Sequence, residues 1–279
     1  MPIYRDGYRR YGGGRVPRGR AWAVIAATGI RMMLRRRGFL GLLLLAWAPF
    51  MVRAVQIWAV STLPQASFLA VTPRTFHDFL DQQGLFVFFV TVYAGAGLVA
   101  NDIRAGALQI YLSKPLSRAE YVAGKLGVLV TLLLLVTWVP AMLLLVLQTM
   151  FAGNVTFVRA NLFLIPAMAV FSLAQSLVAS LTMLALSSLS RSSRFVAVTY
   201  AGLLFFTQAL YGVIFLVTRQ TGASWLSVPA SLSQVGNAVF RLPPLYQTPV
   251  AWSCAVLVGL VAVSMVVLSR RVRAVEVVT

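Results

Sequence analysis

Six long stretches of the chain carry almost no charge, and they limit the fold more than any other feature. They run from Gly38 to Val60 (broken only by Arg53), Gly84 to Ala100, Leu126 to Met150, Asn161 to Ser190, Phe195 to Thr218 and Pro249 to Ser269. About 20 apolar residues in a helix cross a hydrocarbon layer about 30 Å thick. Lipid offers the backbone no hydrogen-bond partner, so each stretch is expected to be helical. Only 11% of the 279 residues are charged, against about 25% in an ordinary soluble domain, which excludes a water-soluble enzyme. The reading is an all-α polytopic membrane protein with one six-span domain over residues 38–269.

The first stretch needs its own argument. Gly38 to Val52 would rise only about 22 Å as a helix, so the span must continue past Arg53, whose long stem can carry its charge to the interface. A rival reading is a cleaved twin-arginine signal, from Arg36-Arg37-Gly38-Phe39-Leu40 with Ala46-Trp47-Ala48 as the cleavage site. Pro49 directly after that site disfavours cleavage, and five further spans remain in either case.

The net charge of +18 would ordinarily suggest a nucleic-acid partner, but its placement argues against one. With six spans, 19 of the 24 Lys and Arg residues fall on the side of the termini, and Arg53, Arg74, Arg159, Arg219 and Arg241 lie on or near the other. The positive-inside rule then puts both termini in the cytoplasm. Residues 1–20, rich in Arg, Gly and Tyr, read as a disordered basic tail near anionic headgroups. Residues 21–37 read as an amphipathic helix in the interface, and 270–279 as a second cytoplasmic tail. The lone Cys254 excludes a disulfide within the chain. On the opposite side, Thr75-Phe76-His77-Asp78 reads as a capping box that opens a short solvated helix to Gln83; its His and its two carboxylates, Asp78 and Asp81, do not make a metal site. The last loop there, residues 219–248, is expected to form short helices dipping toward the bilayer.

The loop between spans two and three is the most informative segment. Leu108, Tyr111 and Leu112 recur at helical spacing, which predicts a short amphipathic helix from about Ala105 to Ser113, ended by Pro115. Ser117 and Glu120 have the spacing of a capping box that starts span three. Gly106 would allow close approach of another backbone, and Arg104 and Lys114 offer charge at the rim of a contact.

Asp102, Arg104, Gly106 and Leu108, the run Leu112-Ser113-Lys114-Pro115-Leu116-Ser117-Arg118, and then Glu120-Tyr121 and Gly124-Lys125, resemble the membrane subunits of ATP-binding-cassette transporters of the ABC-2 exporter type. The six-span plan, the N-terminal helix and the basic loop Arg191 to Arg194 extend the resemblance over residues 21–273. Ala107 departs from it, standing where that family commonly has Thr. The resemblance implies that Ile103 to Ser113 is a coupling helix docked on a separate nucleotide-binding subunit, with ATP and Mg held by that partner. It also implies two permease subunits, identical or related, in the inner membrane of a prokaryote. Gly124-Lys125 is itself no phosphate loop: Ala119 stands where that motif needs Gly, Leu126 where it needs Ser or Thr, and no strand precedes it.

Tyr93, Gln148, Gln175, Gln208 and Tyr211 are polar residues within spans and are candidates to line a pathway. The absence of charge deep in spans two to six argues against an ion-coupled mechanism and for an amphipathic or apolar substrate. Gly95, Gly97 and Gly202 are candidates for close packing between two subunits, though packing within one subunit would use them equally. Two other functions stand beside export. An ABC-type subunit could serve cofactor maturation, self-immunity or signalling, and an intramembrane enzyme would need catalytic groups at membrane depth, which the lone His77 does not supply.

Overall fold

The computed structural model describes residues 21–62, 69–106 and 117–271. The basic tail 1–20, the C-terminal tail 272–279, and Leu108, Tyr111, Leu112, Lys114 and Pro115 of the loop lie outside the described residues.

The described residues form helices and no strand. In chain order these are α1 (Ala21–Leu34), α2 (Arg37–Ala46), α3 (Ala48–Thr62), α4 (Pro73–Gln82), α5 (Gly84–Gly95), α6 (Ala100–Arg104), α7 (Arg118–Val136), α8 (Trp138–Ala152), α9 (Thr156–Ala160), α10 (Leu164–Leu189), α11 (Ser193–Thr218), α12 (Val228–Val239) and α13 (Val250–Arg271). Joined across their kinks, they give six helices long and apolar enough to cross a membrane: 37–62, 73–104, 118–152, 164–189, 193–218 and 250–271. This is a membrane protein. The end of the bundle where α1 begins and α13 finishes carries most of the described cations and is called the basic end below; the other is the far end.

Three of the six spans are broken, and each break has a cause in sequence or a rescuer in space. Span one bends at Trp47, ahead of Pro49, whose ring excludes the carbonyl four residues back. Ala46 O, exposed by the bend, accepts a hydrogen bond of 3.1 Å from the buried Gln83 Nε2. Span three bends at Thr137 ahead of Pro140, and Thr137 Oγ1 turns back to donate to Leu133 O at 2.9 Å. Span two breaks over residues 96–99 without a proline. There Val99 N and Ala100 N donate to Ser187 Oγ at 3.2 and 3.0 Å, and Ser187 Oγ donates to Ala96 O at 3.0 Å. In hydrocarbon an unpaired backbone group costs several kcal/mol, so these side chains are what make the bends tolerable.

Span four, α10, is the central post. Two-thirds of its apolar window is buried, against 6% for α11, 17% for span six and 22% for span one. Small residues on several faces, including Ala167, Ser172, Ser176, Ala179 and Ser180, let neighbours approach closely. One hydrophobic cluster at the basic end joins Phe39, Val99, Leu129, Leu132 and Leu184. Another at the far end joins Ile57, Phe76, Phe79, Leu144, Met168 and Phe240.

The structure changes several expectations. Helix α1 packs along α7: a Cβ on Gly124 would come within 2.8 Å of Ile25 Cβ and 3.0 Å of Trp22 O, and Gly29 faces Val128. It is therefore packed against the bundle, and it ends at Leu34, short of the expected residue 37, before an extended Arg36 turns the chain into span one. The segment before span two is capped one turn earlier than expected, by Thr72 with Thr75 as its reciprocal partner. One face of it is buried, with Phe76, His77, Phe79 and Leu80 inside, while Arg74, Asp81 and Gln82 stay exposed. His77 is 4% exposed, with its ring 5.7 Å from that of Phe171 and 5.5 Å from that of Phe240. Arg53 donates to Gln56 Oε1 at 2.8 Å, and Gln56 Nε2 reaches Leu69 O at 3.1 Å, so the charge is held by a neighbour as well as by its reach.

Candidate functional site

At the basic end, spans two and three form a rigid frame around the loop that joins them. Glu120, in the first turn of α7, accepts from Ser117 N at 3.0 Å while Ser117 Oγ accepts from Glu120 N at 3.2 Å, the reciprocal cap that the sequence predicts. One turn further on, the fully buried Tyr121 donates its hydroxyl to Asp102 Oδ2 at 2.7 Å, and Lys125 Nζ lies 2.7 Å from the same oxygen. Tyr121 and Lys125 share one face of α7 because they are four residues apart; Lys125 Nζ also sits 5.5 Å from the Tyr121 ring centre. Asp102 thus turns inward. Arg104 remains exposed and donates to Asn101 Oδ1 at 3.1 Å.

Gly106 has φ +66, a left-handed conformation that ends α6 and suits glycine. Ala105 and Gly106 form a turn, and the rest of the helix expected from about Ala105 to Ser113 lies outside the described residues. A polar cavity of about 430 Å³ opens beside the frame, with Arg36, Tyr93, Asn101, Asp102, Lys125 and Arg194 among its lining residues. Helix α1, Arg36 and spans two, three and five all contribute to it.

Toward the far end a second cavity, of about 410 Å³, lies between spans two, four, five and six and α12. Helix α12 folds back into the bundle: its cap, Ser227, donates to Gln208 Oε1, ten residues, or about 15 Å of helix, below the end of α11 at Thr218. The return segment is tied by Gln234, whose Nε2 donates to Thr248 O at 2.9 Å and to Tyr246 O at 3.3 Å, while Ser224 and Thr248 hydroxyls meet at 2.7 Å. Burial, with the nearby Tyr211 and Asp81 adding to it, raises the Tyr246 hydroxyl above its ordinary range.

Compared with known proteins, the chain matches no family model and no curated protein.

The in-span polar residues separate. Gln175 and Gln208 line the far-end cavity, and Tyr211 stands beside it with its ring 6.0 Å from that of Tyr246. Tyr93 belongs to the basic-end cavity, its ring 5.8 Å from that of Phe39. Gln148 lies on α8 and lines neither cavity. The small residues separate too. A Cβ on Gly95 would meet Met183 and Leu129 of the same chain and one on Gly97 would meet Asn101, whereas Gly202 has nothing within 4 Å.

Sequence reasoning missed Ser187, Gln83 and Gln234, which rescue backbone groups far away in the chain. Pro49 and Pro140 mark where two breaks fall; nothing local marks which distant side chain fills them. Among the described residues no group of three or more His, Cys, Asp or Glu could hold a metal.

Proposed function

We propose that this chain is the membrane subunit of an ATP-driven exporter of the ABC-2 type, working with a separate nucleotide-binding subunit. The observation that carries the reading is the frame of Asp102, Tyr121 and Lys125. It ties the end of span two to the start of span three at either end of segment 107–116, so a push on that segment moves both spans together. The kink at residues 96–99, held by one serine of span four, is where such a movement would be absorbed. Force would enter through Leu108, Tyr111 and Leu112 and pass through the frame to the broken half of span two.

By the charge distribution, the basic end faces the cytoplasm of a prokaryotic cell and the far end faces outward. Two subunits are expected to meet through α11, whose Phe205, Phe206, Val213 and Val217 are exposed around the open Gly202. Gly95 is used up inside the chain and contributes to no such contact.

The test is isolation of the affinity-tagged chain from its native membrane in mild detergent. The reading expects a second polypeptide that hydrolyses ATP, is blocked by vanadate and co-elutes in a fixed ratio. A chain that elutes with no ATP-hydrolysing partner from intact membranes would refute it.

A further inference from the structure

The far-end cavity is made of a long apolar wall and a short row of acceptors. Val87, Phe88, Val178, Leu204 and Leu260 supply the wall. At one end stands Asp81, with Ser233 also in the lining. Further along, Gln175 is 5% exposed and its Oε1 has no partner; the same holds for Thr182 Oγ1, at 4% exposure. Buried acceptors without donors are costly, and both of these side chains line the cavity.

Among the described residues no Lys or Arg forms an ion pair with Asp81, and His77, one helical turn earlier, is its electrostatic neighbour. Arg74 and His77 turn to Asp78, and the remaining ion pair, Lys125 with Asp102, is at the other end of the bundle. The nearby segment outside the described residues, 63–68, contains no charged residue. The start of α12 adds few donors to the cavity, because Pro229 has no N–H and Ala230 N is taken by Ser227. The cavity therefore offers an exposed carboxylate at one end, two buried side-chain oxygens without partners inside and, among the described residues, no Lys or Arg in its lining. Its volume falls within the range of about 300–1,000 Å³ typical of small-molecule sites.

We propose that this cavity binds an amphipathic primary amine, its ammonium against Asp81 and its hydrocarbon along spans two, four and five. An ammonium brings three donors and a positive charge to a carboxylate that has no Lys or Arg partner among the described residues. The amine could be the ethanolamine head of a phospholipid or a free amphiphile. The inference goes beyond the transport reading and does not depend on an ATPase, since the site lies within one chain.

The test measures binding to the purified full-length chain in phosphatidylcholine nanodiscs, with dodecylamine and dodecanol as probes. The wild-type chain should bind dodecylamine at least tenfold more tightly than dodecanol. Asp81→Asn, which keeps a hydrogen-bonding side chain beside Ser233, should abolish that preference while leaving dodecanol binding unchanged. Leu204→Trp, which fills the cavity, should lose both ligands. Nanodiscs containing phosphatidylethanolamine distinguish the sources: weaker dodecylamine binding there assigns the site to the lipid head, and unchanged binding to a free amphiphile. Equal binding of the two probes by the wild-type chain would overturn the proposal, and so would an amine preference that survives in Asp81→Asn. If Asp81→Asn fails to fold, the wild-type comparison alone decides.

Discussion

Lys125→Met should destabilise the protein severely, and pairing it with a second substitution should undo much of the damage. Lys125 and Asp102 side chains are 13% and 19% exposed and their charged atoms are 2.7 Å apart. Breaking a fully buried pair costs about 3–5 kcal/mol, while an exposed pair is worth about 0–1 kcal/mol. At this exposure the pair lies closer to the buried limit, so removing Lys125 should cost about 2–4 kcal/mol, chiefly from a carboxylate left with only the Tyr121 hydroxyl. At about 2–4 °C per kcal/mol in a chain of this size, the melting temperature should fall by about 4–16 °C. The assay is tryptophan fluorescence of the purified chain in one detergent at one scan rate, since unfolding of such a protein is expected to be irreversible. The double substitution Asp102→Asn with Lys125→Met removes both charges and keeps an acceptor for Tyr121, so it should regain at least half of the loss. A Lys125→Met protein within 1 °C of wild type, or a double variant whose loss is the sum of the two single losses, would refute the frame as an ion-paired unit.

Ser187→Ala should leave two backbone N–H groups of span two unpaired, at a cost of about 1–3 kcal/mol, read as faster amide exchange at Val99 and Ala100; unchanged exchange would count against the plug. Gly124→Leu should push α1 off α7, because backbone at Trp22 O stands only 3.0 Å from the new Cβ, and protease should then cut residues 21–34 in folded protein. Gly95→Leu should cost about 1–3 kcal/mol of stability through overpacking, whereas Gly202→Leu should leave the melting temperature unchanged and shift the dimer toward monomer in detergent. With Cys254→Ser as background, cysteines at the exposed positions Gln82, Asn154 and Gln247 should react with an impermeant thiol reagent outside intact cells, and one at Ser192 should not; labelling at Ser192 would reverse the topology.

The six spans were legible because hydrocarbon imposes a single-residue rule, no charge for about 20 residues, and that rule acts locally. The Ser117–Glu120 cap was legible for the same reason, since both partners lie within one turn. Helix α4 was misjudged because its sequence is polar enough to look solvated. Only the packing of Phe171, Phe240 and Gly236 around His77 buries one face of it, and those residues are about 95 to 165 positions away. The role of Gly124 was hidden likewise: it matters because Ile25 and Trp22 cross over it. Asp102 and Lys125 were visible as members of a motif, but their meeting at 2.7 Å depends on how spans two and three lie side by side. The kink at residues 96–99 has no proline to announce it, and only Ser187 in span four explains why it persists.

The most direct test of the ATP-driven reading is the substitution Tyr111→Glu. Tyr111 belongs to the segment between α6 and α7, and the sequence spacing expects it on one apolar face with Leu108 and Leu112. A carboxylate there should leave membrane insertion, thiol-labelling pattern and melting temperature as in wild type, because no hydrocarbon-buried contact is altered. It should nevertheless strip the ATP-hydrolysing partner from the tagged chain, since burying an unpaired charge in an interface is strongly unfavourable. Tyr111→Glu protein that still co-elutes with that partner and supports wild-type hydrolysis would contradict the account.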